Sequence, residues 1–266
     1  MIKVFVAGAT GWAGSAISKG VFNHDGMQLI GGLSRSNKGK NLADILQIEN
    51  ATIPLFDTID KALEEIDFDV LVEFTKPDIA KKNIVTALKN GKNVIVGTSG
   101  LSNEDYTEIE SIANENNTSV LAAGNFAITA VLLFKFAAIA AQYIPNYELI
   151  DYASQNKIDA PSGSVAELAH RLSTVQKSNI EVPIEDTIGV KETRGATIDN
   201  VQVHSVRLPG HVLGIEAIFG MQDEKLILRH DAGNGAEPYV NGVILAIEKV
   251  NSFKGLKRGL DTVMDL

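Results

Sequence analysis

The chain has 266 residues and a formal net charge of −9, with 45% hydrophobic and 21% charged residues. At about 150 residues per domain, this length predicts two domains or one large one. The chain contains no cysteine, which excludes disulfides, thiolate metal sites and a cysteine nucleophile. An acidic chain with no basic run and no apolar stretch of about 20 residues is a poor candidate for binding nucleic acid or a membrane. We therefore expect a cytoplasmic protein that binds neither.

The first half of the chain alternates short apolar runs with segments of helical character. The runs predict strands at Ile2–Ala7, Met27–Leu33, Val70–Phe74, Asn93–Val96 and Ser119–Ala122. Helices are predicted between them at Trp12–Phe22, Ile59–Ile66, Asp78–Leu88 and Asn103–Asn114. Strands that alternate with helices through short connections favour an α/β fold with a doubly wound parallel sheet.

The pattern changes after about residue 127. The sequence predicts an apolar helix at Ala130–Tyr143 and then a strand at Tyr147–Ala153. A loop and a second helix, Val165–Leu172, follow. The polar stretch 173–196 is predicted to be a loop. Three strands follow with little helix between them, at Val201–Leu208, Val212–Phe219 and Lys225–His230, and a helix at Val240–Val250 ends the series. This order indicates a second, α+β domain with a mixed sheet.

Three glycines follow the first predicted strand and open the first predicted helix, at Gly8, Gly11 and Gly14. Glycines there allow a tight turn and let the backbone approach a pyrophosphate, which the helix N-terminus attracts. The spacing is GxxGxxG rather than GxGxxG. A purely structural turn is the alternative, but the position in an alternating chain favours a dinucleotide site.

The second predicted strand ends in Ser34, where folds that select NAD usually carry an acid for the ribose 2′-hydroxyl. Arg35, Ser36 and Lys38 surround it with donors and positive charge. This composition suits the 2′-phosphate of NADPH, so we expect NADPH to bind more tightly than NADH. A solvated basic loop without a ligand is the alternative.

Two more stretches lie at the predicted carboxyl ends of parallel strands, Glu73-Phe74-Thr75-Lys76-Pro77 and Gly97-Thr98-Ser99-Gly100. Ligands of open α/β sheets bind at the carboxyl ends of strands, so these residues are candidates for the nicotinamide side of the site. Ordinary turn chemistry explains them equally well.

A candidate anion site lies in the second domain. Ser162, Gly163 and Ser164 precede or open the predicted helix, where hydroxyls and free N–H groups suit a carboxylate, and Lys157 supplies a charge nearby. A plain helix cap is the alternative. The five histidines show no HxxxH or HExxH spacing, so no metal site is expected.

Several stretches resemble one known family. GATGWAG, EFTKP, GTSG, GNFAIT, KIDAPSGS, RGATIDNVQVHSVRLPG and LILRHD occur in the order found in 4-hydroxy-tetrahydrodipicolinate reductases, formerly dihydrodipicolinate reductases, of the diaminopimelate route of lysine biosynthesis. The resemblance runs from about residue 2 to the C-terminus. KxDAPSG and HSVRLPG are specific to the family, whereas the glycine loop is not.

The resemblance implies a Rossmann domain at residues 1–127 and 241–266, and a domain at 128–240 that binds substrate and builds a homotetramer. It also implies hydride transfer from NADPH or NADH to a small anionic cyclic imine or unsaturated dicarboxylate. The cofactor contacts that we expect are Gly8, Thr10, Gly11, Trp12, Ala13, Gly14, Ser34, Arg35, Ser36, Lys38, Phe74, Thr75, Gly97, Thr98, Ser99, Asn125 and Phe126. The substrate contacts that we expect are Ser154, Lys157, Ser162, Gly163 and Ser164.

One departure concerns the proton donor. The family usually carries Glu-x-His-His-x-x-Lys before DAPSG, and the first histidine is assigned as the donor. The two histidine positions are Ala153 and Ser154 here. Lys157 or Tyr152 is the candidate catalytic donor, or the substrate is an imine that is already protonated. The alternatives to a family reductase are a paralogue that reduces another imine and a non-catalytic nucleotide-binding protein.

Overall fold

The structure, a computed structural model, describes residues 1–265. The strands are β1 (Ile2–Ala7), β2 (Met27–Leu33), β3 (Leu55–Phe56), β4 (Val70–Glu73), β5 (Asn93–Val96), β6 (Ser119–Ala122), β7 (Tyr147–Ala153), β8 (Ala196–Ile198), β9 (Val201–Arg207), β10 (Leu213–Met221), β11 (Glu224–Ala232) and β12 (Gly255–Arg258). The α-helices are α1 (Trp12–Phe22), α2 (Leu42–Leu46), α3 (Ile59–Glu65), α4 (Pro77–Lys89), α5 (Asn103–Glu115), α6 (Ile128–Ala141), α7 (Gly163–Val175) and α8 (Glu237–Lys249).

The first compact unit comprises Met1–Ile128 and the chain from Gly235 on. Its sheet is parallel throughout, with the strand order β12-β6-β5-β4-β1-β2-β3. The chain moves outward from β1 to β3 on one side, returns to β4, and moves outward again on the other side. The carboxyl ends of β1 and β4 therefore adjoin at the switch point, where open α/β sheets bind ligands.

The second compact unit, Thr129–Asn234, contains a sheet of order β11-β10-β7-β9-β8. Strands β7 and β9 are parallel and the other pairs are antiparallel, so the sheet is mixed. Buried side chains of α6 and α7, such as Leu133 and Leu168, pack with Leu149 and Ile215 on one sheet face. Because strand side chains alternate, Asp151 shares this covered face with Leu149.

The structure confirms the predicted fold class, an α/β unit with a doubly wound parallel sheet plus an α+β unit with a mixed sheet. The sequence did not predict four short elements, which are α2, β3, β8 and β12. The predicted loop at 173–196 also contains short 3₁₀ turns at Ile184–Asp186 and Lys191–Arg194. The last helix begins at Glu237, and residues 235–240 group with the first unit, whereas we predicted that boundary at 240/241.

Helix α6 is strongly apolar, since 12 of its 14 residues are apolar and only Thr129 and Lys135 are polar. Within residues 1–265, no helix combines the length and the hydropathy that crossing a bilayer requires.

Candidate active site

The glycine loop after β1 packs too tightly for side chains. Gly8 has a φ of +82°, and a Cβ there would lie 2.4 Å from the carbonyl oxygen of Phe74. A Cβ on Gly14 would lie 2.0 Å from the carbonyl oxygen of Gly8. The first position needs glycine for its backbone conformation as well as for space, and the second needs it for space. The loop therefore brings its own backbone close to the start of α1.

The same loop leaves amide groups available. The first hydrogen bond at the start of α1 runs from the N–H of Ser15 to the carbonyl of Gly11, at 2.9 Å. The N–H groups of Trp12, Ala13 and Gly14 precede that bond, so the helix supplies them with no carbonyl. Three amides at the positive end of a helix can bind an anion such as a pyrophosphate.

A cavity of about 540 Å³ opens beside this loop. Its walls come from the carboxyl ends of the first four strands and from α4. The lining residues are Gly8, Thr10, Gly11, Leu33, Ser34, Arg35, Ser36, Asp57, Phe74, Thr75, Lys76, Ile79 and Asn83. Eight expected cofactor contacts are among them, and the glycine cradle and the free amides fit a dinucleotide.

The end of β2 is tied to the glycine loop. The hydroxyls of Ser34 and Thr10 lie 2.8 Å apart, and the side-chain amide of Asn37 donates to Ser34 at 3.3 Å. Ser34 is only 8% exposed, and its hydroxyl is already engaged by these two protein side chains. Arg35 and Ser36 are exposed at the cavity wall and are the better-placed donors for a ligand there.

Asp57 directly follows β3 and lines the same cavity, and sequence reasoning missed it together with that strand. Lys61 lies 2.9 Å from its carboxylate and Lys38 lies 3.4 Å away. The hydrogen bond from Lys61 lowers the pKa of Asp57. Lys38 is thus paired with this acid instead of lining the cavity, and Arg35 remains the cation beside Ser34.

Aromatic packing supports the far side of the cavity. The rings of Phe74 and Phe126 lie 5.7 Å apart, and a Cβ on Gly97 would fall 2.1 Å from the Phe74 ring. Phe126 is 2% exposed, so its side chain supports Phe74 from the core. The Asn125 side chain accepts a hydrogen bond from the N–H of Ala127 at 2.8 Å. Both residues were expected to contact the cofactor, and the structure gives their side chains these packing and capping contacts.

The hydroxyls of Thr75 and Thr98 both lie within 3.5 Å of the carboxyl of Glu73, which belongs to the same predicted strand end but was not among the expected cofactor contacts. Glu73 ends a strand whose residues are all buried, and it is itself fully buried. Burial raises the pKa of its carboxyl. An acid that ends an apolar strand is a signal that the sequence contains. Ser99, in contrast, is exposed to solvent.

The substrate loop of the second unit is anchored by Asp151. Its carboxylate accepts the backbone N–H of Ser162 at 2.7 Å and the Ser162 hydroxyl at 2.8 Å. Ser162 is 2% exposed. We expected this hydroxyl to be available to a substrate carboxylate, and the structure corrects that expectation, because both donors of Ser162 are engaged by Asp151.

Arg207 completes this anchor. Its guanidinium lies 2.6 Å from the Asp151 carboxylate and donates to the carbonyl of Asp159 at 2.7 Å. Asp151 is fully buried and the Arg207 side chain is 17% exposed, so this is a largely buried ion pair. The sequence signal for this ion pair was an acid, Asp151, on the core-facing side of a predicted strand. The pair fixes both ends of the segment 159–162.

The donors that remain for a ligand lie just beyond this anchor. Helix α7 begins at Gly163, and the first backbone bonds into it come from Val165 and Ala166 to the carbonyl of Ser162. The N–H groups of Gly163 and Ser164 therefore precede the hydrogen-bonded turn. Lys157 lies 2.7 Å from Asp159, and this hydrogen bond lowers the pKa of Asp159.

Within residues 1–265, no group of three or more His, Asp or Glu side chains is arranged to hold a metal ion.

Comparison with known proteins gives one consistent result. The profile described as dihydrodipicolinate reductase, N-terminus, matches residues 2–126, and the corresponding C-terminus profile matches residues 129–264. The chain belongs to the dihydrodipicolinate reductase family. A 4-hydroxy-tetrahydrodipicolinate reductase of Bacillus pumilus is 35% identical over 99% of this chain and 98% of its own, and one from Listeria monocytogenes serotype 4b is 34% identical over 99% and 100%.

The solved structures agree with this membership. A dipicolinate-bound dihydrodipicolinate reductase from Paenisporosarcina sp. TG-14 superposes with a TM-score of 0.89 at 30% identity, covering 99% of this chain and 100% of its own. An amine dehydrogenase from Mycobacterium smegmatis reaches a TM-score of 0.65 at 14% identity over 96% and 94% of the two chains, which reflects the fold alone. The family transfers hydride from a pyridine nucleotide, so the chain is an oxidoreductase.

In this family member, Tyr152 is poorly placed to act as proton donor beside the anchored loop. It directly follows Asp151 in β7, and neighbouring strand residues point to opposite faces of the sheet. Its hydroxyl donates to Glu216 at 3.3 Å, and the Arg229 guanidinium lies 4.7 Å from its ring centre. Burial, and then Glu216, raise the pKa of Tyr152. The alternation that separates Tyr152 from Asp151 was already present in the predicted strand.

The two positions at which the resemblance implies histidines differ in their surroundings. Ala153 ends β7, is fully buried, and its carbonyl accepts the N–H of Leu208 at 3.2 Å. Ser154 is half-buried and begins the turn in which the N–H of Lys157 donates to its carbonyl at 3.0 Å. Ser154, an expected substrate contact, therefore lies in the same turn as Lys157. Ala153 contributes no polar side chain.

Proposed function

We propose that this protein is an NADPH-dependent reductase whose substrate is 4-hydroxy-tetrahydrodipicolinate, in the diaminopimelate route to lysine. The observation that carries this proposal is the buried Asp151–Arg207 pair, which holds Ser162 at the start of α7, where the N–H groups of Gly163 and Ser164 precede the first hydrogen-bonded turn. Lys157 lies earlier in the same loop. Such an arrangement suits a carboxylate of a small anionic substrate. Relatives that are 33–35% identical over 99% of the chain carry this reductase's name.

The first unit contains the residues that would hold the cofactor. The amides at the start of α1 would bind the pyrophosphate, and Arg35 would bind the 2′-phosphate as a bidentate donor. NADPH, when bound, supplies the hydride. The absence of an acid at Ser34 supports NADPH over NADH, whereas Asp57 lies in the same cavity with its charge paired to two lysines. We place the enzyme in the cytoplasm, where NADPH is generated.

The second unit would bind the substrate. We infer that one substrate carboxylate takes the place of Asp159 on Lys157 and accepts the N–H groups of Gly163 and Ser164. Lys157 is 31% exposed and so remains reachable from solvent. As an ammonium group it is also the remaining candidate, of the two that we named, to donate a proton beside this loop.

A second candidate function has a specific observation in its favour. Ala153 supplies no acid and Tyr152 points to the other sheet face. A general acid typically contributes about 10²–10⁴ in rate, so a substrate that needs only hydride would suffer least from this loss. A paralogue that reduces a cyclic imine already carrying its proton fits that requirement.

The experiment that separates these functions is NADPH oxidation, measured with enzymatically generated 4-hydroxy-tetrahydrodipicolinate and in parallel with cyclic imino acids that lack the second carboxylate. The proposed function predicts the higher kcat/KM on the dicarboxylate. Higher kcat/KM on a monocarboxylate imine would establish the second candidate. If the protein turns over none of these compounds but binds NADPH measurably, it is a non-catalytic nucleotide-binding protein.

A histidine variant sharpens this test. Ser154→His changes a half-buried turn residue, whereas Ala153→His must fit a fully buried one, so the single variant is measured before the double. If the pocket still fits the dicarboxylate and lacks only an acid, the double variant should gain at least about tenfold in kcat/KM on it. If the native substrate is another imine, the same change should lower the native activity instead.

We also propose that the protein is a homotetramer, as the family resemblance implies. The sheet face opposite α6 and α7 carries Ile150, Ile218 and Ile227, and Ile227 is 44% exposed. Apolar side chains at the centre of an open sheet face suit an interface between copies. Sedimentation equilibrium across a tenfold concentration range should give four times the mass of 28.5 kDa, and the mass of a monomer would contradict the proposal.

A further inference from the structure

A carboxylate lies beside the end of β2, although it follows a different strand. Strand β3 pairs with β2 so that Phe56 lies opposite Leu33, and the N–H of Ser34 donates to the Phe56 carbonyl at 2.9 Å. Asp57 is the next residue after Phe56, so the register brings it beside Ser34. In folds that select NAD, the acid for the ribose 2′-hydroxyl usually stands where Ser34 stands. The negative charge that is missing from β2 is therefore present one strand further out.

Asp57 belongs to the walls of two cavities. It lines the cavity beside the glycine loop together with Ser34 and Arg35. It also lines a second cavity of about 480 Å³, whose wall contains Lys38 and Lys61. The Asp57 side chain is 22% exposed, so a ligand in the first cavity can reach it. Its two lysines meanwhile line the second cavity.

The charges around Asp57 do not cancel. Its carboxylate lies 2.9 Å from Lys61 and 3.4 Å from Lys38, so one negative charge faces two positive ones. The hydrogen bond from Lys61 lowers the pKa of Asp57, which keeps the carboxylate ionised at neutral pH. A cofactor phosphate beside Arg35 would meet this carboxylate as a like charge, whereas a hydroxyl in the same place can donate a hydrogen bond to it.

We propose that Asp57 is a specificity-determining residue for the cofactor, and that its carboxylate lowers the preference for NADPH over NADH by placing a negative charge beside the 2′ position. The proposal rests on the proposed use of NADPH and of Arg35 as the partner of its 2′-phosphate. Arg35 sets the direction of the preference and Asp57 limits its size. Lys38 and Lys61 hold the carboxylate in place and offset part of its charge.

A purely structural role for Asp57 makes a different prediction. The ion pairs with Lys38 and Lys61 fasten the chain after β3 to its neighbours, and their loss could disturb the cavity wall as a whole. Such a disturbance would act on NADPH and NADH alike, because the two cofactors differ only at the 2′ position. The ratio of their dissociation constants therefore separates the two roles.

The test compares Asp57→Asn with the wild type by calorimetry. The amide keeps the size of the side chain, removes its charge and leaves the two lysines without their partner. We expect the ratio of the NADH Kd to the NADPH Kd to rise at least about fivefold, the equivalent of ~1 kcal/mol for two like charges close together in water. Adenosine 5′-monophosphate and adenosine 2′,5′-bisphosphate also differ by the 2′-phosphate alone, so their ratio should rise in the same way.

Two matched variants and a change of salt test whether the effect is local and electrostatic. Asp60→Asn removes the same charge from an exposed acid that pairs with Lys82 at 3.1 Å, and it should leave both ratios within about twofold of wild type. Asp57→Glu keeps the charge and should stay close to the wild-type ratios. The rise in Asp57→Asn should shrink between about 0.05 and 0.5 M salt, because salt screens exposed charges.

The outcomes are distinct. If the wild type binds both nucleotides and Asp57→Asn leaves their ratio unchanged or lowers it, the proposal is overturned. An equal rise in Asp60→Asn or in Asp57→Glu would overturn it as well, and so would a rise that salt does not reduce. A wild type that binds neither NADPH nor NADH would instead contradict the proposed cofactor, and this role with it.

Discussion

The Asp151–Arg207 pair gives the sharpest prediction, because one atom exchange tests both the fold of the second unit and its proposed site. Asp151→Asn keeps the shape of the side chain and removes its charge. The wild-type carboxylate accepts two hydrogen bonds from Ser162, of 2.7 and 2.8 Å, and lies 2.6 Å from the Arg207 guanidinium. An asparagine offers one acceptor oxygen. If that oxygen takes the Oδ2 position, the NH₂ group faces the Ser162 hydroxyl; if it takes the Oδ1 position, the NH₂ group faces both the Ser162 N–H and the guanidinium.

The expected loss follows from burial. Removing one partner of a buried ion pair costs about 3–5 kcal/mol, because the other charge stays buried without compensation. Arg207 is 17% exposed and also donates to the Asp159 carbonyl, which favours the lower end, about 3 kcal/mol. That is a large part of the ~5–15 kcal/mol by which domains are usually stable. Since Ser162 directly precedes Gly163, a misplaced loop should also lower kcat/KM for an anionic substrate by about 10–100-fold.

Two measurements check this prediction. Urea unfolding followed by far-UV circular dichroism gives the stability change, and steady-state kinetics with varied substrate and saturating NADPH gives kcat/KM. The matched control is Asp199→Asn, which removes an exposed carboxylate of the same unit that pairs with His170 at 3.0 Å. The control should behave like the wild type. An Asp151→Asn variant within about 1 kcal/mol of wild type, with unchanged kcat/KM, would refute our account of the anchor.

Three further predictions concern single side chains. Arg35→Ala should weaken NADPH binding about 10–100-fold, the equivalent of ~1.5–3 kcal/mol for a charge-assisted contact, and should leave NADH binding unchanged; equal losses for both cofactors in a titration would reject the 2′-phosphate role. Lys157→Ala should raise KM for an anionic substrate at least tenfold with NADPH affinity unchanged, and full activity at low substrate would argue against the site. His230, whose ring lies 3.0 Å from the Thr129 hydroxyl, has a pKa lowered by burial, so the unfolded chain takes up a proton near pH 6.5 while the folded chain stays neutral. Stability should therefore fall below about pH 6.5 more steeply in the wild type than in His230→Gln, as unfolding at pH 5.5 and 7.5 would show, and parallel profiles would contradict it.

The parts of the candidate site that are formed by the backbone were predictable from the sequence. The glycine loop follows β1 as the sequence indicated, because only glycine fits where Gly14 approaches the Gly8 carbonyl. The side chains were less predictable. Ser162 was expected to offer a free hydroxyl, but its partner is Asp151, eleven positions earlier in the chain and in a different element. No local pattern distinguishes a serine that binds substrate from one that anchors its own loop.

The sequence by itself determined the two-unit organisation, the strands of four or more residues in the first half, and the family. Those features depend on local hydrophobic runs, turn residues and motifs, which need no knowledge of distant contacts. The edge strands Leu55–Phe56 and Gly255–Arg258 were decided only by tertiary structure, because each pairs with a single neighbour that folds from another part of the chain. The same holds for Arg207, because its partner Asp151 lies 56 positions earlier in the chain and comes within hydrogen-bonding distance only when β7 and β9 pair.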